Sequence, residues 1–184
     1  MKTNEEKVIF AGFGGQGVML MGQMLAYVAT AKELHTVWIP SYGPETRGGT
    51  ANCSVTIAKQ MINSPIITEA DSAVVLNLPS LQKFEPRLKK NGLLIVNSNA
   101  IEDYTYRTDI RVLLLDANRM ALKLGNLKVA NMIMLGAYLE ATAIFPKEAL
   151  FEIFKKTFTG SKEKLLDLNY QAVELGMETV RAQV

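Results

Sequence analysis

Residues 8–31, "VIFAGFGGQGVMLMGQMLAYVATA", contain no charged side chain, and Gly12, Gly14, Gly15 and Gly17 are packed into the middle of the first half. A short continuous apolar run, "KVIFA", leads into these glycines, as a buried strand would. Beyond them, residues 16–32 are good helix formers with no proline. Glycine admits positive φ and lets a helix start close against the strand that feeds it. The segment therefore predicts a first strand turning tightly into a first helix. If that step repeats, the chain is committed to a layered α/β fold.

It does repeat. "TVWI" (36–39) reads as a second strand stopped by Pro40, followed by an irregular loop rich in proline and glycine up to Gly49. Ala51, Cys53, Val55 and Ile57 then alternate with Asn52, Ser54 and Thr56, a period of two that gives a strand with one apolar face, Cys53 on it. "SAVVLN" (72–77), "GLLIVN" (92–97) and "RVLLLD" (111–116) are buried-strand candidates. "PSLQKFEPRLKKNG" between the first two reads as a helix with Pro79 near its start and Gly92 past its end. For residues 59–70, "SPII" reads as a turn and an edge strand. From Asn118 the pattern is helical: Val129, Met132, Ile133, Gly136 and Ala137 share a face, Pro146 opens another helix, and Ser161 is placed to cap the last. Strands alternating with helices predict a single α/β domain over 1–184 with a largely parallel, mixed sheet and a helical C-terminal region.

Composition removes several function classes. The 20 basic and 18 acidic residues nearly balance, without the concentrated basic excess of a nucleic-acid footprint. "RLKK" (87–90) is the densest basic patch and reads as a solvated helix end. The glycines leave only about 15 apolar residues beyond them, short of the ~20 a membrane span needs. "MKTNEEK" lacks the positive n-region of a secretion signal. One cysteine and one histidine, Cys53 and His35, supply neither an iron–sulfur ligand set nor a structural zinc site. A reduced, cytoplasmic setting is expected, and no catalytic residue is assigned to the chain.

Two loops carry the chemical interest. "GFGGQG" fits G-x-G-x-x-G, so backbone N–H groups at a helix start could face a pyrophosphate. A dinucleotide fold expects an acidic residue about 20 positions on, ending the second strand; here that strand ends "WIPSYG". The turn is then a structural corner or a phosphate or anion site, with NAD or FAD the least supported. "SYGPETRGG" places Tyr42, Glu45, Thr46 and Arg47 beside Gly48 and Gly49, where a planar guanidinium can approach a phosphate or carboxylate. An Arg47–Glu45 surface pair is the competing reading. Glu102 and Asp103 read as solvated loop.

Taken together, "GFGGQGVMLMGQMLAYVA", "WIPSYGPETRGGTANCSVTI" and "ANMIMLGAY" resemble, in order and over nearly the whole chain, the gamma subunit of 2-oxoacid:ferredoxin oxidoreductases, the 2-oxoglutarate type most of all. A subunit of indolepyruvate oxidoreductases shares the GGQG turn and an RGG element. The resemblance implies a three-layer α/β/α domain in an enzyme that converts a 2-oxoacid and coenzyme A into acyl-CoA and CO2, with electrons passed to ferredoxin. It implies that thiamine diphosphate, Mg and iron–sulfur clusters belong to partner alpha, beta and in some enzymes delta subunits, and that the isolated chain is inactive. Carried onto this sequence, Gly14, Gly15, Gln16 and Gly17 with Tyr42, Glu45, Arg47, Gly48 and Gly49 are the positions expected to meet coenzyme A or a neighbouring subunit.

Overall fold

Six stretches of alternating or continuous apolar residues zip into one sheet. A computed structural model describes residues 4–43, 50–101 and 104–183. The strands are β1 (Glu5–Phe13), β2 (His35–Tyr42), β3 (Thr50–Ala58), β4 (Ala70–Val75), β5 (Leu88–Asn97) and β6 (Arg111–Leu115). Their order across the sheet is β2-β3-β1-β4-β5-β6. On one side of β1 the strands β4, β5 and β6 follow it in parallel, whereas on the other β3 pairs antiparallel with both β1 and β2. The sheet is therefore mixed and largely parallel, as the alternating pattern predicts.

Alternation along the strands sorts the core into two compartments. Val8, Phe10, Cys53, Val55, Val74 and Ile95 face one side, with α1 (Val18–Ala31), α3 (Ala117–Lys123), α4 (Ala130–Thr142), α5 (Lys147–Thr157) and α6 (Leu166–Arg181). Ile9, Ala11, Ala73, Val75, Leu94 and Val96 face the other, under Leu81 and Phe84 of α2 (Leu78–Phe84) and the irregular chain around Ile67 and Ile101. Three layers are present, but the second helical layer is one short helix. Met21 and Met24 are fully buried, the flexible gap-fillers their side chains make them.

Several local expectations are corrected. β2 continues through Pro40, which pairs with Cys53; an edge strand has one side without a neighbour, where a missing N–H costs no ladder bond. The helix expected across 79–91 ends at Phe84, because Pro86 admits only a single 3-10 turn before β5 begins at Leu88. Lys89 and Lys90 are thus strand residues, not a helix end. Residues 64–67 form no strand, and 160–165 form a 3-10 turn, so α6 starts at Leu166 rather than after a Ser161 cap. Pro146 is the N-cap of α5, one position outside it. Glu102 and Asp103 lie outside the described residues.

Candidate functional site

The parallel strands run out at one end of the sheet, β1 into the glycine turn and β4, β5 and β6 into Asn77, Asn97 and Asp116. This is the end where open α/β sheets bind ligands. α1 leaves β1 onto one face and α2 leaves β4 onto the other, so the connections reverse direction between β1 and β4. The glycine turn stands there. The Phe13 N–H donates to Gln16 Oε1 at 2.6 Å and the Gln16 N–H to the Phe13 carbonyl at 3.1 Å, closing the turn on itself. Gly15 and Gly17 take φ of 94° and 75°. A Cβ on Gly12 would lie 2.6 Å from Gln16 Oε1 and 2.9 Å from Val18 Cγ2. Packing of the corner requires Gly12, and positive φ favours glycine at 15 and 17.

Amides tie the corner to its surroundings. Asn77, just past β4, accepts from the Ser80 N–H at 2.8 Å as cap of α2 and reaches Gln16 Oε1 through Nδ2 at 3.4 Å. Asn131, buried on the first turn of α4, donates to the Gly17 carbonyl at 3.3 Å. Asn97, at the end of β5, accepts from the Ala117 N–H at 3.1 Å and donates to Asn118 Oδ1 at 3.0 Å. Asp116 caps α3 by accepting from the Arg119 N–H at 3.0 Å. By contrast α1 has no side-chain cap and no acidic residue in its first turn. Its amino end keeps the free N–H groups and partial positive charge that the Asn77 amide caps at α2 and the Asp116 carboxylate caps at α3.

The second loop arises at the same end. Tyr42, Ala51 and Gly12 are in one register row, and Thr50 pairs with Phe13, the residue that opens the glycine turn. The Gly43 N–H donates to the Thr50 carbonyl at 2.8 Å, fixing where the loop departs and returns. Tyr42 is 71% exposed. Glu45, Arg47, Gly48 and Gly49 lie outside the described residues. The structure therefore brings Gly14, Gly15, Gln16 and Gly17 to the same end of the sheet as Tyr42 and the two ends of the 44–49 loop. Asn77, Asn97 and Asn131 stand at this end of the sheet and are not singled out by the sequence motifs. Their signal is present all the same, since two apolar strand runs end on an asparagine and Asn131 interrupts an apolar helix.

Other candidates resolve simply. Cys53 faces the core against Gly22 and Trp38, and burial pushes its thiol up to about 11, the state of an unreactive structural cysteine. His35 is exposed at the start of β2. Among the described residues no group of three His, Cys, Asp or Glu side chains converges as a metal site, and no helix is long and apolar enough to cross a membrane.

Known proteins share this architecture and sequence. The family described as pyruvate ferredoxin/flavodoxin oxidoreductase matches residues 7–179. The chain is 37% identical over 181 residues to the ketoisovalerate oxidoreductase subunit VorA of Methanothermobacter thermautotrophicus, covering 98% of this chain and 37% of that subunit. It thus spans little more than a third of that longer relative. It is 35% identical over 183 residues to the 2-oxoglutarate synthase subunit KorC of Methanothermobacter marburgensis, covering 95% and 96% of the two chains. The crystal structure of the keto/oxoacid ferredoxin oxidoreductase gamma subunit from Geobacter sulfurreducens superposes with a TM-score of 0.82 at 27% identity, over 96% of this chain and 99% of that one.

Proposed function

Because the chain belongs to the pyruvate ferredoxin/flavodoxin oxidoreductase family, as a gamma-type subunit, we propose that it works within a multi-subunit 2-oxoacid:ferredoxin oxidoreductase and presents the glycine-turn end to coenzyme A. In that reaction the bond between the 2-oxoacid carbonyl and its carboxylate breaks to release CO2. The acyl carbon joins the coenzyme A sulfur, the thiol proton is released, and two electrons pass to oxidised ferredoxin. The iron–sulfur clusters belong on partner alpha, beta or delta subunits, because one cysteine cannot supply their thiolate ligands; thiamine diphosphate and Mg are assigned to those partners on the family resemblance.

What this chain contributes is a place for an anion. The observation that carries the reading is the register of Thr50 against Phe13, which sets the returning end of the 44–49 loop beside the glycine turn that leads into the uncapped start of α1. A phosphate at that start would meet unsatisfied backbone N–H groups. Arg47 would add a planar, bidentate donor. The closed Phe13–Gln16 ring and the Asn77 and Asn131 bonds hold the corner rigid, so little ordering would remain to oppose binding.

The test is Arg47→Ala in the enzyme co-produced with its companion subunits. The KM for coenzyme A is expected to rise about tenfold, the loss of one charge-assisted hydrogen bond, with assembly unchanged by size-exclusion chromatography. An unchanged KM in a normally assembled enzyme removes the ligand role. Failure to assemble instead identifies the loop as a contact between subunits.

A further inference from the structure

The opposite end of the sheet holds a cleft of about 330 Å³, at the lower end of the range for small-molecule sites. Its floor is the row Ser72, Leu93 and Arg111, in register across β4, β5 and β6, with Glu6 at the start of β1. Its roof is the last turn of α4, at Ala141 and Thr142. None of these residues belongs to the glycine-turn end, so a ligand in the cleft is independent of coenzyme A at the turn.

Charge in the cleft is divided into two ends. Asp71 is satisfied: it accepts from Lys89 Nζ at 2.6 Å and from the Lys7 N–H at 2.9 Å. Glu6 is not. Its Oε1 accepts from Ser72 Oγ at 2.7 Å and from the Tyr138 hydroxyl at 3.2 Å, while Oε2 has no partner among the described residues. The carboxyl end of α4 adds partial negative charge on the same side. Across the floor, Arg111 and Lys90 line the cleft and neither joins an ion pair among the described residues. A simple anion would face Glu6 and the end of α4; a simple cation would face Arg111 and Lys90. A neutral molecule carrying both charges satisfies both ends.

We propose that this cleft binds a small zwitterion of the α-amino-acid class, its ammonium against Glu6 and the carboxyl end of α4 and its carboxylate against Arg111 and Lys90. The ammonium would supply the direct ion-pair partner that Glu6 lacks among the described residues. Burial, the largest influence on that carboxyl, raises its pKa above the usual range, ahead of the opposing Ser72 hydrogen bond.

The test is isothermal titration calorimetry of the purified 184-residue chain with the standard α-amino acids, alongside propionate and propylamine as probes carrying one charge each. At least one amino acid is expected to bind saturably, and each single-charge probe at least about tenfold more weakly. Glu6→Gln and Arg111→Gln are each expected to weaken binding about tenfold or more. Circular dichroism checks that the variants fold; should Glu6→Gln fail to do so, Arg111→Gln, on an edge strand, decides alone. Three results overturn the proposal: no amino acid saturates below about 10 mM, a single-charge probe binds as well as the amino acid, or the folded variants bind like the unsubstituted chain.

Discussion

Gly15 and Gly17 sit two residues apart with similar positive φ, yet their surroundings differ. At Gly15 nothing lies within 4 Å of an added Cβ, whereas at Gly17 the Cβ would strike the Asn131 amide. Alanine at Gly15 should therefore cost only backbone strain, about 1 kcal/mol. Alanine at Gly17 carries that strain and also drives Asn131 from the Gly17 carbonyl, leaving a buried amide short of a partner. That adds about 1–3 kcal/mol. Urea denaturation of the two variants should rank them in that order, and equal losses would mean that the Asn131 contact is not maintained. Glu6 gives a second residue-scale expectation. Its folded pKa is raised above 4.5 by burial, with Asp71 adding to the rise and Ser72, Tyr138 and Lys89 opposing it. The folded state then holds the proton more tightly than the unfolded chain, so its contribution is fully present below about pH 4.5 and is lost as pH rises through the folded value. Comparing melting temperatures of the unsubstituted chain and Glu6→Gln across pH isolates this group. The unsubstituted chain should lose ground relative to the variant as pH climbs through that window; a constant difference would refute it.

Between elements, the tightest contact is the crossing of α4 and α6, where a Cβ on Gly136 would collide with the Val173 carbonyl and one on Gly176 with the Ile133 carbonyl. Backbone meets backbone on both sides, so neither side can yield by changing rotamer. Gly136→Ala should destabilise by about 3 kcal/mol, the upper part of the usual overpacking range, and should separate α6 from α4 enough to raise amide exchange in both helices. A loss below about 1 kcal/mol would show that the crossing relaxes freely. Gly136 was legible as part of an apolar helix face; Gly176 was hidden because its helix gave no reason to expect backbone contact. Helix and strand identity were legible wherever periodicity ran unbroken, as in β3 and α1. They failed at Pro40 and Pro86, where one residue type has opposite consequences. On an edge strand proline leaves the ladder intact, while after α2 it stops the helix and lets Leu88–Asn97 extend. Whether a strand lies at an edge is a property of the sheet, invisible to a local window.

At the scale of the whole molecule, strand order decides how the glycine turn can be used. G-x-G-x-x-G alone left a dinucleotide reading open, and the acid missing after "WIPSYG" was the only sequence feature against it. Topology adds a stronger one. In a dinucleotide-binding fold, the second strand lies beside the first and its terminal acid reaches the ribose. Here β3 intervenes between β1 and β2, so the end of β2 is displaced by two strand spacings, roughly 10 Å, from the glycine turn. The insertion was not legible, because a third strand joining antiparallel between the first two depends on long-range pairing rather than on periodicity. The same insertion brings the returning end of the 44–49 loop to the turn, through Thr50 against Phe13, so the geometry that disfavours a ribose contact there favours a second anion-facing loop. Titration of the purified chain with NADH, followed by nicotinamide fluorescence, should show no saturable binding up to about 1 mM, an affinity of roughly −4 kcal/mol. Saturable binding abolished by Gly15→Glu would show that the turn accepts a dinucleotide without the ribose acid.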